Sequence, residues 1–139
     1  MSGYLIHALE ELQRASDDFD AAEGEEAKAW HARHRLIVFG VAAITLDAAR
    51  EDNQHRLPAD FKNEQDEFFG LAYVIRSAPA HDIVMPKWSI KQKYRRSYVV
   101  MGATFDLSAL DGQAFDFAHI NGAQAFIDLA RYGQGNGWV

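Results

Sequence analysis

Apolar residues near the start of the chain recur at steps of three and four. Leu5, Leu9, Leu12 and Phe19, with Ser16 in register, mark one face of an amphipathic helix over roughly residues 2–19. Glu23-Gly24-Glu25-Glu26 breaks that pattern and restarts it, the acids suiting a helix N-terminus. A second helix is expected over about residues 25–54, with Trp30, His34, Ile37, Val41, Ile44 and Ala48 along its stripe. Its middle is apolar all round, the pattern of the most buried helix of a bundle. Thirty helical residues span about 45 Å, so either the bundle is elongated or Gly40 marks a bend. Arg56-Leu57-Pro58 ends this helix, because proline disfavours helical geometry in the residue before it.

A third helix is expected from residue 59 or 60 to residue 76 or 77. Phe61, Gln65, Phe68, Ala72 and Ile75 form its stripe, and Pro79 interrupts or ends it. After Pro86 the period falls to two. Trp88, Ile90, Gln92 and Tyr94 alternate with Lys87, Ser89, Lys91, Lys93 and Arg95, which predicts a strand with a largely apolar and a basic face. The β-prone run 97–107 supplies its partner, with Arg95-Arg96 as the connecting turn. A last short helix is expected over 122–132, followed by a flexible tail at 133–137. The fold class is therefore mainly α: a helical bundle, a β-hairpin and a short terminal helix. No linker or repeat divides the chain, so residues 1–139 form one domain.

Composition adds exclusions. At 139 residues, 48% hydrophobic and 24% charged, the chain matches an ordinary globular protein rather than a disordered one. It has no cysteine, which rules out disulfides, a thiol nucleophile and a cysteine-based zinc site. The longest apolar run, 36–46, is too short to span a bilayer. Met1-Ser2-Gly3-Tyr4 lacks a secretory pattern, so no membrane association and a cytoplasmic location are expected. The net charge of −6 is uneven. Residues 1–75 carry 7 Lys/Arg against 15 Asp/Glu, whereas residues 76–139 carry 7 against 5. Five of the latter cations lie between Lys87 and Arg96, a local strip able to hold phosphates beside a site.

The residues best suited to chemistry are Arg76 and His81, five positions apart at the end of the third helix. An imidazole titrating near neutrality can take the proton of a ribose hydroxyl or return one to a leaving oxygen. A guanidinium can stabilise charge gathering on a phosphate in the transition state. In the plainer alternative, Arg76 pairs with an acid such as Asp82 and His81 serves the helix C-terminus.

The run Arg76-xxxx-His81, following amphipathic helices in a small acidic chain, resembles the signature of the HEPN superfamily (higher eukaryote and prokaryote nucleotide-binding), in which Arg is followed by four to six residues and His. The resemblance covers roughly residues 1–85, and 86–139 reads as an elaboration. It implies a HEPN-like helical bundle and a metal-independent endoribonuclease of a toxin–antitoxin or antiviral defence system, needing no cofactor. It also implies RNA as substrate, a homodimer, and a cognate antitoxin or other defence partner. Arg76 and His81 carry over as the catalytic pair. Ser77 stands where members often have asparagine and takes the role of a supporting donor. Ile83 stands where one antitoxin-regulated subgroup has tyrosine, so modification at that position is not expected. Many members are inactive, and the alternative is a catalytically silent dimerisation or interaction module docking on a larger effector.

Lys87, Lys91, Lys93 and Arg95 are the expected RNA-binding strip, read otherwise as a solvated edge strand guarded by lysine. His31 and His34 lack a third partner for a metal, and no metal ligands are expected elsewhere. Gly133-Gln134-Gly135-Asn136-Gly137 precedes no helix and is not a phosphate loop.

Overall fold

The computed structural model describes residues 2–139; Met1 lies outside them. Helices α1 (Ser2–Ala21), α2 (Glu25–Asp52) and α3 (Glu64–His81) are followed by hairpin strands β1 (Ser97–Val100) and β2 (Ala103–Asp106) and by α4 (Ala123–Gly135). The molecule is mainly helical, with a small antiparallel hairpin after the helices and a terminal helix. Helix α1 buries Leu5, Leu9, Leu12, Ala15 and Ser16. Helix α2 runs unbroken through Gly40 but turns a different face inward from the one its strongest apolar stripe suggests. Phe39, Ala42, Ala43, Leu46 and Ala49 are buried, while Trp30 is 62% and Val41 48% exposed. A helix apolar on two sides has two candidate core faces, and packing against α1 and α3 chooses between them.

Helix α3 starts later and ends later than its periodicity suggests. Asn63 caps it, its side chain accepting from Asp66 N at 2.8 Å, while Asp66 accepts in return from Lys62 N at 3.0 Å. Pro79 lies inside the last turn and does not stop the helix. Gly40 of α2 makes room for it. A β-carbon at Gly40 would sit 3.0 Å from Pro79 Cβ and 2.6 Å from Ile83 Cγ1. The end of α3 therefore rests directly on the backbone of α2.

The expected strand over 88–94 does not form. Around Lys87 the chain makes one isolated antiparallel bridge, to Ala114. Beyond it side chains occupy the backbone groups a ladder would need: Ile90 N donates to Asp111 Oδ1 (2.8 Å) and Ile90 O accepts from Arg95 Nε (2.8 Å). Gln92–Tyr94 then form a turn of 3₁₀ helix. Trp88, Ile90 and Tyr94 are still buried and the intervening lysines exposed, because alternation needs only an extended chain. Gln92 departs from that pattern and is exposed. The hairpin lies wholly within the single run 97–107. Ser97 pairs with Asp106 and Val100 with Ala103 across a two-residue turn, Met101-Gly102, with φ of 49° and 72°. Two successive positive φ values suit the right-handed twist of a tight hairpin, and Gly102 adopts one without a steric penalty.

Two carboxylates of α3 hold β1. Glu67 accepts from Val99 N (3.1 Å) and from Arg96 Nη1 (2.8 Å), and Glu64 accepts from Met101 N (2.9 Å). The C-terminal third belongs to the same core as the helices. Phe39 of α2 stacks on Phe115 at 4.7 Å and meets Phe117 and Phe126 edge-on, each at 5.1 Å. The tail expected to be flexible is instead ordered: α4 continues to Gly135, Trp138 packs on Phe68 (5.3 Å), and Val139 is buried.

Candidate active site

Arg76, Ser77 and His81 project from the last two turns of α3, positioned by Phe68, Ala72, Ile75 and Pro79 on the buried side of the same helix. With Tyr73, Lys91 and Tyr94 they line one surface cavity of about 300 Å³. His81 is exposed, and Asp82 does not pair with Arg76. Asp82 instead accepts from Val84 N (2.9 Å) and Met85 N (3.0 Å), fixing the turn that carries the chain away from His81.

The acid facing Arg76 is Asp47 of α2. Its side chain is 1% exposed, and Oδ2 stands 3.7 Å from Arg76 Nε, an ion pair too long to be a hydrogen bond. Oδ1 accepts from Arg50 Nε at 2.8 Å, and Arg50, itself buried, donates to His55 O at 2.6 Å. One carboxylate thus faces two guanidiniums, and Oδ2 accepts no hydrogen bond. Arg76 remains 40% exposed at the cavity. The residues lining the cavity include Arg76 and Lys91 and no carboxylate, while buried Arg50 pairs with Asp47 and Glu51 behind it, a balance that suits an anionic ligand.

Two hydroxyls complete the wall. Ser77 lines the cavity, and its Oγ is buried without a hydrogen-bond partner. Tyr94 is buried beside Tyr73, with ring centroids 5.1 Å apart. Burial first, and then the Tyr73 phenol, raise the Tyr94 pKa above its ordinary value, so Tyr94 is a neutral hydroxyl at physiological pH. A neighbouring cavity of about 420 Å³ shares His81 and Ser89 with the first and adds Asp82, Met85, Lys87, Trp88 and Asp111. His81 therefore stands between two hollows.

Of the expected RNA-binding strip, Lys91 lines the first cavity and Lys87 the second. Lys93 and Arg95 are not brought to the site. Lys93 Nζ donates to Pro58 O at 3.1 Å, and Arg95 donates to Ile90 O and to Asp111 Oδ2 (3.0 Å), tying its loop together. Their cationic ends serve the fold because the chain turns after Lys91 instead of continuing as a strand.

Sequence reasoning missed Asp47 and Tyr73 as site residues and favoured a core position for Tyr94, which is buried and lines the cavity as well. Asp47 directly follows the apolar run 36–46 with an arginine three positions on, a spacing that suggests an Asp47–Arg50 pair but says nothing of Arg76. His31 and His34 sit around Trp30 (ring centroids 5.1 Å for each), away from the Arg76 cavity. Among the described residues, no group of three or more His, Asp or Glu side chains is placed to hold a metal ion, and no helix is long and apolar enough to cross a membrane. In comparisons with known proteins, no family model, no curated protein and no solved structure matches the chain.

Proposed function

We propose that the chain is a HEPN-type endoribonuclease, part of a toxin–antitoxin or defence system, that cleaves RNA without a metal at the cavity holding Arg76 and His81. The observation that carries this reading is that Arg76, Ser77, His81 and Lys91 line one hollow. Arg76 and Lys91 hold the phosphate, and Ser77 and Tyr94 donate to its oxygens. His81 takes the proton of the ribose 2′-hydroxyl as its oxygen bonds to phosphorus. The bond from phosphorus to the 5′-oxygen breaks, and that oxygen receives a proton from the imidazolium. The products are a 2′,3′-cyclic phosphate and a 5′-hydroxyl, so protons and charge balance without a cofactor. The protein acts as a cytoplasmic homodimer restrained by a cognate antitoxin or other defence partner.

A second reading has its own support. The Arg76–Asp47 ion pair ties the arginine to the core and suits a silent interaction module docking on a larger effector. Incubating the purified protein with RNA in EDTA separates the two. Cleavage to cyclic-phosphate ends is expected. His81→Ala and Arg76→Ala each lower the rate by about 10²-fold or more, while His81→Ala leaves the thermal midpoint nearly unchanged. Replacing Lys87 and Lys91 together weakens RNA binding and flattens its salt dependence by about two phosphate contacts. An intact substrate under these conditions sinks the nuclease reading in favour of the silent module.

A further inference from the structure

The two hollows on either side of His81 differ in charge. Arg76 and Lys91 line the first with no carboxylate, whereas Asp82 and Asp111 line the second against one lysine, Lys87. A second phosphate is disfavoured there, and a neutral group carrying N–H donors is favoured. Both carboxylates are held in place. Asp82 Oδ1 accepts from Val84 N and Met85 N, which fills it, while among the described residues no donor reaches Oδ2. Asp111 Oδ1 accepts from Ile90 N and Oδ2 from Arg95 Nη2, leaving each oxygen room for one further donor. Met85, 73% exposed, offers a thioether to the face of a ring. Trp88 lines the cavity from the interior, anchored by its Nε1–H bond to His119 Nδ1 at 2.9 Å.

The order of groups along a ribonucleotide fits this division. With a phosphate at Arg76 and Lys91 and the ribose 2′-hydroxyl at His81, the base on that ribose reaches the far side of the imidazole, where the second cavity opens. Its volume of about 420 Å³ accommodates a purine. Ionised carboxylates accept hydrogen bonds and do not donate them. In adenine, cytosine and uracil the Watson–Crick donor sits beside an acceptor, which would face Asp82 or Asp111 desolvated and without a partner. Guanine alone presents two adjacent donors, N1–H and the N2 amino group. A base seated in the cavity is also unpaired and unstacked, so the strand that supplies it is single.

We infer that the cavity bearing Asp82, Met85 and Asp111 is a nucleobase subsite for guanine, so that single-stranded RNA is cut on the 3′ side of guanosine. This rests on the ribonuclease reading for the cut and for the seat of the phosphate. Calorimetric titration of the full chain with the four nucleoside 3′-monophosphates tests the subsite without requiring turnover. Cleavage is followed separately on DNA strands that each carry a single ribonucleotide. Guanosine 3′-monophosphate is expected to bind about tenfold or more tighter than the other three, and the strand carrying riboguanosine to be cut faster by a similar factor. Asp82→Asn keeps an oxygen for Val84 N and Met85 N but turns an amide donor toward the base. It is expected to bring the guanosine nucleotide within about threefold of the others, with helical circular dichroism unchanged. Met85→Ala weakens all four by about two- to tenfold and keeps the preference. Selective binding without cleavage keeps the subsite and sinks the nuclease reading. Equal affinities, or a guanine preference that survives Asp82→Asn, overturn the subsite whether or not RNA is cut.

Discussion

Asp47 shows how much one side chain decides at this site. It is fully buried between two arginines, and one of its oxygens accepts no hydrogen bond. Removing one member of a buried ion pair leaves the other charge uncompensated, which costs about 3–5 kcal/mol. Asp47→Ala is therefore expected to lower stability by that order in a denaturant titration. Asp47→Asn keeps an oxygen for Arg50 Nε but removes the charge facing Arg76, and is expected to cost less. Arg76 and His81 were legible because their spacing on one helix is a local property. Asp47 was not, because its partner Arg76 lies on another helix and only the packing of α2 against α3 brings the two together.

At the scale of elements, the end of α3 is positioned by its contact with α2. Gly40 meets Pro79 and Ile83, which flank His81 in sequence, so the backbone approach at Gly40 sets where the imidazole stands. Gly40→Val is expected to destabilise the protein by about 1–3 kcal/mol, the usual cost of overfilling a packed site, read as a lower denaturation midpoint. The segment after Pro86 makes a different point. Its alternation correctly separates buried Trp88, Ile90 and Tyr94 from exposed lysines, yet most of it is not a strand. Periodicity reports which way side chains face. Hydrogen-bond partners decide whether a ladder forms, and here Asp111 and Arg95 take the groups at Ile90. The true hairpin was hidden because Met101-Gly102 is a weaker turn signal than Asn-Gly or Asp-Gly.

At the scale of the whole molecule, one hydrophobic cluster runs from Leu5 on α1 to Val139 at the C-terminus. The region after Pro86 reads in sequence as an addition to a helical bundle, but it supplies Trp88, Tyr98, Phe105 and Phe126 to the shared interior. Single-step thermal unfolding is expected, with far- and near-ultraviolet circular dichroism giving coincident midpoints. Truncation after Pro86 should leave a chain without a cooperative transition, because Phe39 then loses all three of its aromatic neighbours. The sequence by itself determined the helices, the change of period near Pro86 and the grouping of Arg76, Ser77 and His81, since each depends on residues close along the chain. Tertiary structure alone decided which face of α2 is core, which acid faces Arg76, and which cations reach the cavity. Those outcomes depend on which surfaces compete for the same partner, and that competition has no signature in local spacing.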